Sequence, residues 1–411
     1  MGIPNITSRA GHPSFLDLPW SLPLELWNDE RIVELPTGIH RHVVRFAAYD
    51  DRIYAIKELP FGTARHEYDT LRRLNSMIQP IVEPIAVVER AWADPSEEIS
   101  GAVITGYVDF SFTYRELVEG GGFGHNRNRL LDAFAGLLVE LHLVGCFWGD
   151  CSLSNVLYRW DGGAIQAIMI DAETSELHDE LSRGQRSHDL DIMRTNVAGG
   201  MADIASSQGI ELDEADLSLG DDIISRYDAL WNELESDVLF APDEQYLVHE
   251  KVHRLNELGF EVADLEFRPS DDGGQMVAEL QLAVGGRTYH SSQLRELTNV
   301  EATEHSARRI LADLRHYVAA NSDLSATGKS VAAIRWRVNR FEPLIERLAE
   351  DFADQGAVNR YADFLHHRYL MATNDGRDID NDEAYERWLA QGGPGIGPGT
   401  PTPESTSIHD G

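Results

Sequence analysis

The sequence predicts an α+β chain. Three observations carry that expectation: short runs of alternating bulky apolar residues in the first 108 positions, a switch to helical periodicity from Tyr114, and a fresh hairpin-and-helix block after about residue 240. With 411 residues, 42% apolar and 25% charged, the chain has the composition of a globular protein and enough length for two or three domains.

Residues 1 to about 28 are Pro-rich and read as an irregular segment lying across the first lobe. From Arg31 to Glu58 three strands are expected, separated by a loop around Gly38 and a turn at Asp50-Asp51. A helix is expected near Arg65 to Met77. Two more strands follow, Val82 to Glu89 and Ala102 to Val108, with the Pro95-Ser96-Glu97-Glu98 turn between them. Gly106-Tyr107-Val108-Asp109 reads as a hinge. Beyond it Leu130, Leu131, Phe134, Leu137, Leu138 and Leu141 form one apolar helical stripe. Val156-Leu157-Tyr158 and Ile165 to Ile170 flank Asp161-Gly162-Gly163, a hairpin signature.

After about Leu239, Gln245 to Leu258 is an amphipathic helix ended by Gly259. Strands Phe260 to Phe267 and Met276 to Val284 are joined by Asp271-Asp272-Gly273-Gly274. Long helices are expected over Val300 to Ala319 and Val331 to Ala353, with a shorter one near Ala357 to Met371. From about Gln391 the composition is Gly/Pro/Thr/Ser-rich and reads as disordered.

The chemistry concentrates in Trp148-Gly149-Asp150-Cys151-Ser152-Leu153-Ser154-Asn155, followed by Ile170-Asp171 at the end of an apolar run. An Asp, an Asn five positions on, and an Asp ending a strand are what phosphoryl transfer from a nucleotide requires. The first takes or orients the proton of the acceptor hydroxyl, and the other two hold divalent cations that neutralise the triphosphate. Upstream, Arg52-Ile53-Tyr54-Ala55-Ile56-Lys57 is an alternating strand ending in a lysine, and Glu67 opens an amphipathic run. A strand lysine contacts phosphates only when its flexible stem is anchored, and a helix glutamate is the usual anchor.

These residues resemble the protein-kinase-like superfamily, in its bacterial lipopolysaccharide-kinase, RIO and aminoglycoside-phosphotransferase branch. Tyr54-Ala55-Ile56-Lys57 stands where that family has Val-Ala-Ile-Lys. Glu140-Leu141-His142 leads into the Gly-Asp segment, Gly149 to Asn155 is similar to the RIO-type loop, and Ile170-Asp171-Ala172-Glu173 takes the place of Asp-Phe-Gly. The resemblance covers roughly the first 240 residues. It implies a two-lobed fold, a small antiparallel sheet lobe over 1–108 and a mainly helical lobe over 109–240, with an appended α+β domain of unknown role over 241–372 and a largely disordered tail over 373–411. It further implies an ATP-dependent kinase acting on an alcohol group, with Asp150 as base, Asn155 and Asp171 as metal ligands, and Lys57, Glu67 and Gly38 at the nucleotide. The cofactors implied are ATP and Mg2+ or Mn2+. Asp189 falls where the family braces its catalytic loop. The implied acceptor is a small molecule, a sugar or a lipid-linked glycan, and a protein partner through the C-terminal domain is compatible with the reading.

Two features depart from the family pattern. Trp148 replaces the usual His or Tyr, and its ring nitrogen cannot accept a hydrogen bond. The loop Pro36 to His42 has one glycine rather than three, leaving nucleotide grip to His40 or Arg41. The alternative reading is therefore a pseudokinase, a nucleotide-binding scaffold without turnover.

The net charge of −34 opposes binding to nucleic acid or anionic membranes and makes cations at a phosphate site more necessary. No segment is apolar for long enough to cross a bilayer, and Met1-Gly2-Ile3-Pro4-Asn5 lacks signal-peptide character, so a cytoplasmic location is expected. Cys146 and Cys151 flank Asp150. They read as ordinary reduced residues, with oxidation of Cys151 as a conceivable switch. His249-Glu250-Lys251-Val252-His253 matches the zinc-hydrolase pattern, with Glu266 or Glu279 as third-ligand candidates. Charged Lys251 and Asn256 argue against it. Gly120 to Gly124 follows no strand and reads as a connection. Arg308, Arg309, Arg315, Arg335, Arg337 and Arg340 read as charges balanced by neighbouring acids, with an anion site as the rarer outcome.

Overall fold

The structure, a computed structural model, describes the chain apart from residues 1, 36–41, 51, 119–125, 210, 212–213, 242, 271–274, 323–324, 353–355 and 397–411. Gly38, His40, Arg41, the Gly120 to Gly124 run and the Asp271 to Gly274 turn lie outside the described residues. The chain divides into two compact units. One comprises residues 1–159, 166–236 and 284–286, the other 160–165, 237–283 and 287–411.

In the first unit, β1 (Asn5–Ser8), β2 (Ile32–Val33), β3 (Val44–Tyr49) and β4 (Arg52–Leu59) precede α1 (Phe61–Asn75), β5 (Pro84–Glu89) and β6 (Gly101–Gly106). They form one antiparallel sheet in the order β1-β5-β6-β4-β3-β2. The N-terminal segment does lie across this lobe, but it also contributes the edge strand β1. Its Phe15, Leu18, Trp20, Leu24 and Trp27 pack on Ala47, Tyr54, Ile56, Ile85 and Ile104. Each such fully buried aromatic or aliphatic side chain contributes about 1.5–3 kcal/mol. On the other face, Ala64 and Tyr68 of α1 pack with Leu59, Val87 and Val103. Strand parity then fixes the chemistry: Tyr54 and Ile56 face the N-terminal segment, so Lys57 shares the opposite face with Leu59 and meets α1.

The helical lobe of this unit follows. Its elements are β7 (Ser111–Phe112), α2 (Tyr114–Val118), α3 (Arg127–Leu143), β8 (Cys146–Phe147), β9 (Val156–Asp161), β10 (Ala164–Met169), β11 (Glu176–Leu177), α4 (Arg183–Gln208), α5 (Glu214–Leu217) and α6 (Leu219–Glu235). From Leu130 to His142 α3 is almost entirely buried, making it the lobe's central element. Gly162 and Gly163 both have positive φ, 56° and 92°, as the two-residue turn joining β9 to β10 requires. Helix α4 begins at Arg183, capped by the Ser182–Gln185 box, and Asp189 lies in its second turn. A sheet lobe is thus followed by a mainly helical lobe, in the α+β order expected of the first 240 residues.

The second unit contains the sheet β12 (Val238–Phe240), β14 (Met276–Arg287) and β13 (Phe260–Pro269) in the order β12-β14-β13, with α7 (Tyr246–Glu257) packed on it through Val248, Phe240 and Ala278. Next come α8 (Tyr289–Thr298), α9 (Glu304–Asn321), α10 (Ala326–Trp336), α11 (Glu342–Asp351), α12 (Ala357–Asp375) and α13 (Asn381–Ala390). Two expectations are corrected here. The single helix expected over Val331 to Ala353 is broken by a π-helical turn at Arg337–Phe341. Trp336 and Phe341, five residues apart, would point about 140° away from each other on a regular α-helix. The wider turn lets both enter the core, stacked with centroids 5.1 Å apart. The tail expected from residue 373 instead continues into α13, started by Asp380 accepting from Asp382 and Glu383 and held by buried Tyr385 and Trp388. Its polar composition concealed two aromatic anchors.

Candidate functional site

The site lies within the first unit. The Lys57 ammonium is 2.8 Å from Glu67 Oε2, 3.0 Å from Asp171 Oδ2 and 3.7 Å from Glu173 Oε2. Strand β4 supplies the lysine, α1 the buried Glu67, and the segment after β10 the other two carboxylates. Burial pulls the ammonium's pKa down, but the charges of Glu67 and Asp171 outweigh it and the pKa is raised. Burial also drives the Glu67 carboxyl up, to about 7, opposed by Lys57 and assisted by the negative charges of Asp171 and Glu173. Both groups thus titrate upward, and the ammonium stays charged.

The loop between β8 and β9 carries Asp150 and Asn155. The Asn155 side-chain amide donates to the Asp150 backbone oxygen at 2.9 Å and to Asp150 Oδ2 at 3.3 Å, while the Asn155 backbone carbonyl accepts from Ile170 N–H at 3.1 Å. Asn155 is therefore fixed beside the residue that precedes Asp171. Trp148, fully buried, donates its ring N–H to the Asp171 backbone oxygen at 2.9 Å. The ring that cannot accept a hydrogen bond ties the loop to the strand end by donating one. Gly149, at φ 78°, comes so close to this segment that a β-carbon would sit 2.9 Å from the Thr174 carbonyl oxygen.

Asp189 braces the loop from α4. Its carboxylate accepts from Trp148 N–H at 2.8 Å, Gly149 N–H at 2.9 Å, the Cys151 thiol at 3.1 Å and His142 Nε2 at 3.1 Å. Burial would raise its pKa, yet the His142 contact and the loop donors more than offset this and the pKa is lowered. His142 reaches the loop through Asp189, and its Nδ1 pairs with the Tyr227 hydroxyl at 2.8 Å.

Three members of this arrangement carry no site role in the sequence reading. Asn196 of α4 donates to Asp150 Oδ1 at 2.8 Å, Glu173 joins the Lys57 cluster, and His42 Nε2 lies 3.1 Å from Glu173. The signal for Asn196 was its place seven residues after Asp189, on the same helix face. Asp150 itself has a raised pKa. Burial is the largest cause and the negative charges of Asp171 and Glu173 add to it, while the Asn155 and Asn196 amides pull the other way.

Among the described residues, Glu67, Asp171 and Glu173 form the one group of three or more acidic, His or Cys side chains close enough to share a cation. Lys57 already supplies that cation, since its nitrogen contacts the Oε2, Oδ2 and Oε2 atoms of all three. Two further oxygens could serve a divalent ion: the Asp171 carboxylate, and the side-chain amide oxygen of Asn155, whose nitrogen is committed to Asp150.

The other candidates are dispersed or otherwise engaged. His249 and His253 are exposed on α7, and neither belongs to a metal-sized group among the described residues. Burial pushes Cys146 up to about 12 and Cys151 well above an ordinary thiol, which disfavours the thiolate that oxidation requires. Arg308 and Arg315 pair with Glu257, Arg337 with Glu342, and Arg340 lies over the Tyr317 ring. No helix among the described residues is long and apolar enough to cross a membrane.

A family model described as a domain of unknown function, DUF4032, matches residues 229–392. No curated protein matches. Among solved structures, WaaP in complex with acyl carrier protein is similar at 19% identity and a TM-score of 0.32, over 55% of this chain and 89% of that one. The Rio2 kinase–ADP/Mg2+–phosphoaspartate complex from Chaetomium thermophilum is similar at 13% identity and a TM-score of 0.31, over 56% and 71%.

Proposed function

We propose that the first unit transfers the γ-phosphoryl group of ATP to a hydroxyl, with Asp150 as proton acceptor. The observation that carries this reading is the Lys57 ammonium held between Glu67 of α1 and Asp171 at the strand end, 2.8 Å and 3.0 Å away. A buried ammonium anchored in this way is a fixed positive charge for phosphate oxygens, and anchoring removes the rotamer entropy that a free lysine would lose on binding. A divalent cation bound with the nucleotide would be held by Asp171 and Asn155 and would neutralise charge on the β- and γ-phosphates.

In the transfer, the acceptor O–H gives its proton to the Asp150 carboxylate as its oxygen forms a bond to the γ-phosphorus. The bond from that phosphorus to the β,γ-bridging oxygen breaks, and ADP leaves with the electron pair. The raised pKa of Asp150 suits this role, because a more basic carboxylate is a better proton acceptor. Asp189 keeps the loop backbone still, and Trp148 keeps the loop in register with Asp171. These groups define the transfer chemistry and leave the alcohol unnamed.

The test is ADP formation from MgATP by the purified chain. Asp150→Ala and Asp171→Ala should each lower turnover by about 10²–10⁴-fold while the unfolding midpoint holds. Unchanged turnover in both variants rejects the assignment. A thermal shift with MgATP but no ADP formed would favour the nucleotide-binding scaffold instead.

A further inference from the structure

We propose that Asn196 is a positioning residue for this phosphoryl transfer, orienting the Asp150 carboxylate from the adjoining helix; the inference rests on reading Asp150 as the proton acceptor. Asn196 lies on α4 two turns beyond Asp189, so both side chains leave the same face of one helix. Their contacts divide the work. Asp189 takes the backbone N–H groups of Trp148 and Gly149, whereas Asn196 donates to the Asp150 side chain itself, 2.8 Å from Oδ1, and to the Cys151 backbone oxygen at 3.2 Å.

Asp150 is thereby gripped at both oxygens: Asn196 holds Oδ1 and Asn155 holds Oδ2 at 3.3 Å. Two donors on different oxygens fix the carboxylate's rotation about its own axis, which one donor cannot do. Each oxygen has a second lone pair, so a proton can still be accepted while both amides remain bonded. A hydrogen bond to a charged group is worth about 1.5–3 kcal/mol, enough to select one rotamer of a half-buried side chain. The two holders come from different elements. Asn155 moves with the loop that carries Asp150, whereas Asn196 belongs to a 26-residue helix, so Asn196 is the one that refers the carboxylate to the body of the lobe.

The alternative is that Asn196 merely pins the loop backbone through Cys151. Two substitutions separate these roles. Asn196→Ala removes both bonds, while Asn196→Asp keeps the volume but sets an acceptor opposite Asp150 where a donor is required. With the full chain, MgATP and water as phosphoryl acceptor, Asn196→Ala should lower kcat about 10–100-fold with KM for MgATP within about two-fold, because misplacement by roughly 1 Å carries about that penalty. Asn196→Asp should lose more than Asn196→Ala despite its better shape, at a similar unfolding midpoint. The proposal is overturned if Asn196→Ala keeps wild-type kcat, if Asn196→Asp is the more active variant, or if only KM moves. Wild-type protein that forms no ADP removes the phosphotransfer reading and this inference together. Wild-type turnover with normal Asn196 variants removes this inference alone.

Discussion

Glu67 in the first unit and Glu304 in the second are both almost wholly buried, yet their carboxyls are driven in opposite directions. Glu304 accepts from His290 Nδ1 at 2.7 Å, from His290 N–H at 2.9 Å and from Ser291 N–H at 2.9 Å. The two backbone groups are otherwise unpaired donors in the first turn of α8, where the helix dipole also favours an anion. Burial would raise its pKa, but these bonds more than offset that and the pKa is lowered. Glu67 has one cation shared with two other carboxylates, and its pKa rises to about 7. Equal burial therefore has different consequences depending on donors. Glu304 is satisfied by donors of its own unit, while the Lys57 cluster of the first holds three carboxylates on one ammonium.

The largest expected effect breaks this contrast at its centre. Lys57→Met should lower MgATP turnover by about 10³-fold or more, because the fixed charge at the phosphates is lost. It also leaves Glu67, Asp171 and Glu173 facing one another without their ammonium. Folded Glu67 would then bind its proton more tightly still, so between the unfolded pKa near 4.5 and the raised folded value the native state carries extra protons and stability falls as pH rises. Urea unfolding should accordingly show a greater loss for this variant at about pH 8 than at about pH 5. Equal losses at the two values would mean that the carboxylates do not depend on Lys57.

Much of the crevice was legible because its residues obey local rules. Lys57 ends an alternating strand, Glu67 sits on the next helix, and Asp150, Asn155 and Asp171 keep their order along a loop, a hairpin and a strand end. Strand parity then turns Lys57 toward α1. The hairpin could be read from Gly162-Gly163 because only glycine adopts that pair of dihedrals readily. Asn196 carried only its spacing from Asp189 as a signal and Glu173 none of its own, since their partners, Asp150 for the one and Lys57 and His42 for the other, are set by tertiary packing. The π-turn at Arg337–Phe341 and helix α13 were missed for a related reason. Trp336, Phe341, Tyr385 and Trp388 are drawn inward by a shared aromatic core, and core demand overrides local pattern. The His249 to His253 motif erred the other way, with correct helical spacing but exposed histidines.

A second test probes the satisfied side of the comparison. Glu304→Ala strands two backbone N–H groups and His290, and should cost about 2–4 kcal/mol near neutral pH while turnover stays within about three-fold. The sign of its pH dependence is opposite to that of Glu67. A carboxyl with a depressed folded pKa contributes stability above its unfolded value near 4.5 and loses that contribution as pH falls through the folded value. The gap between wild type and variant, followed by urea unfolding, should therefore narrow on acidification. A gap that widened would show that the carboxylate is not what the α8 terminus requires.

The smallest effect sharpens the contrast most. Glu67→Gln keeps the shape and an oxygen toward Lys57 but removes one negative charge from a site that has three. Wild-type Glu67 opposes folding progressively as pH rises from about 4.5 to 7, so the variant should unfold at slightly higher urea at about pH 8, by on the order of 1 kcal/mol, and show a flatter profile across that window. Its turnover should still fall, roughly ten-fold, because a neutral amide anchors the ammonium less firmly against the phosphates. A variant that is more stable and less active identifies Glu67 as a residue kept for the crevice's chemistry. One that is less stable at alkaline pH would place Glu67 with Glu304, as a buried acid whose charge the fold itself needs.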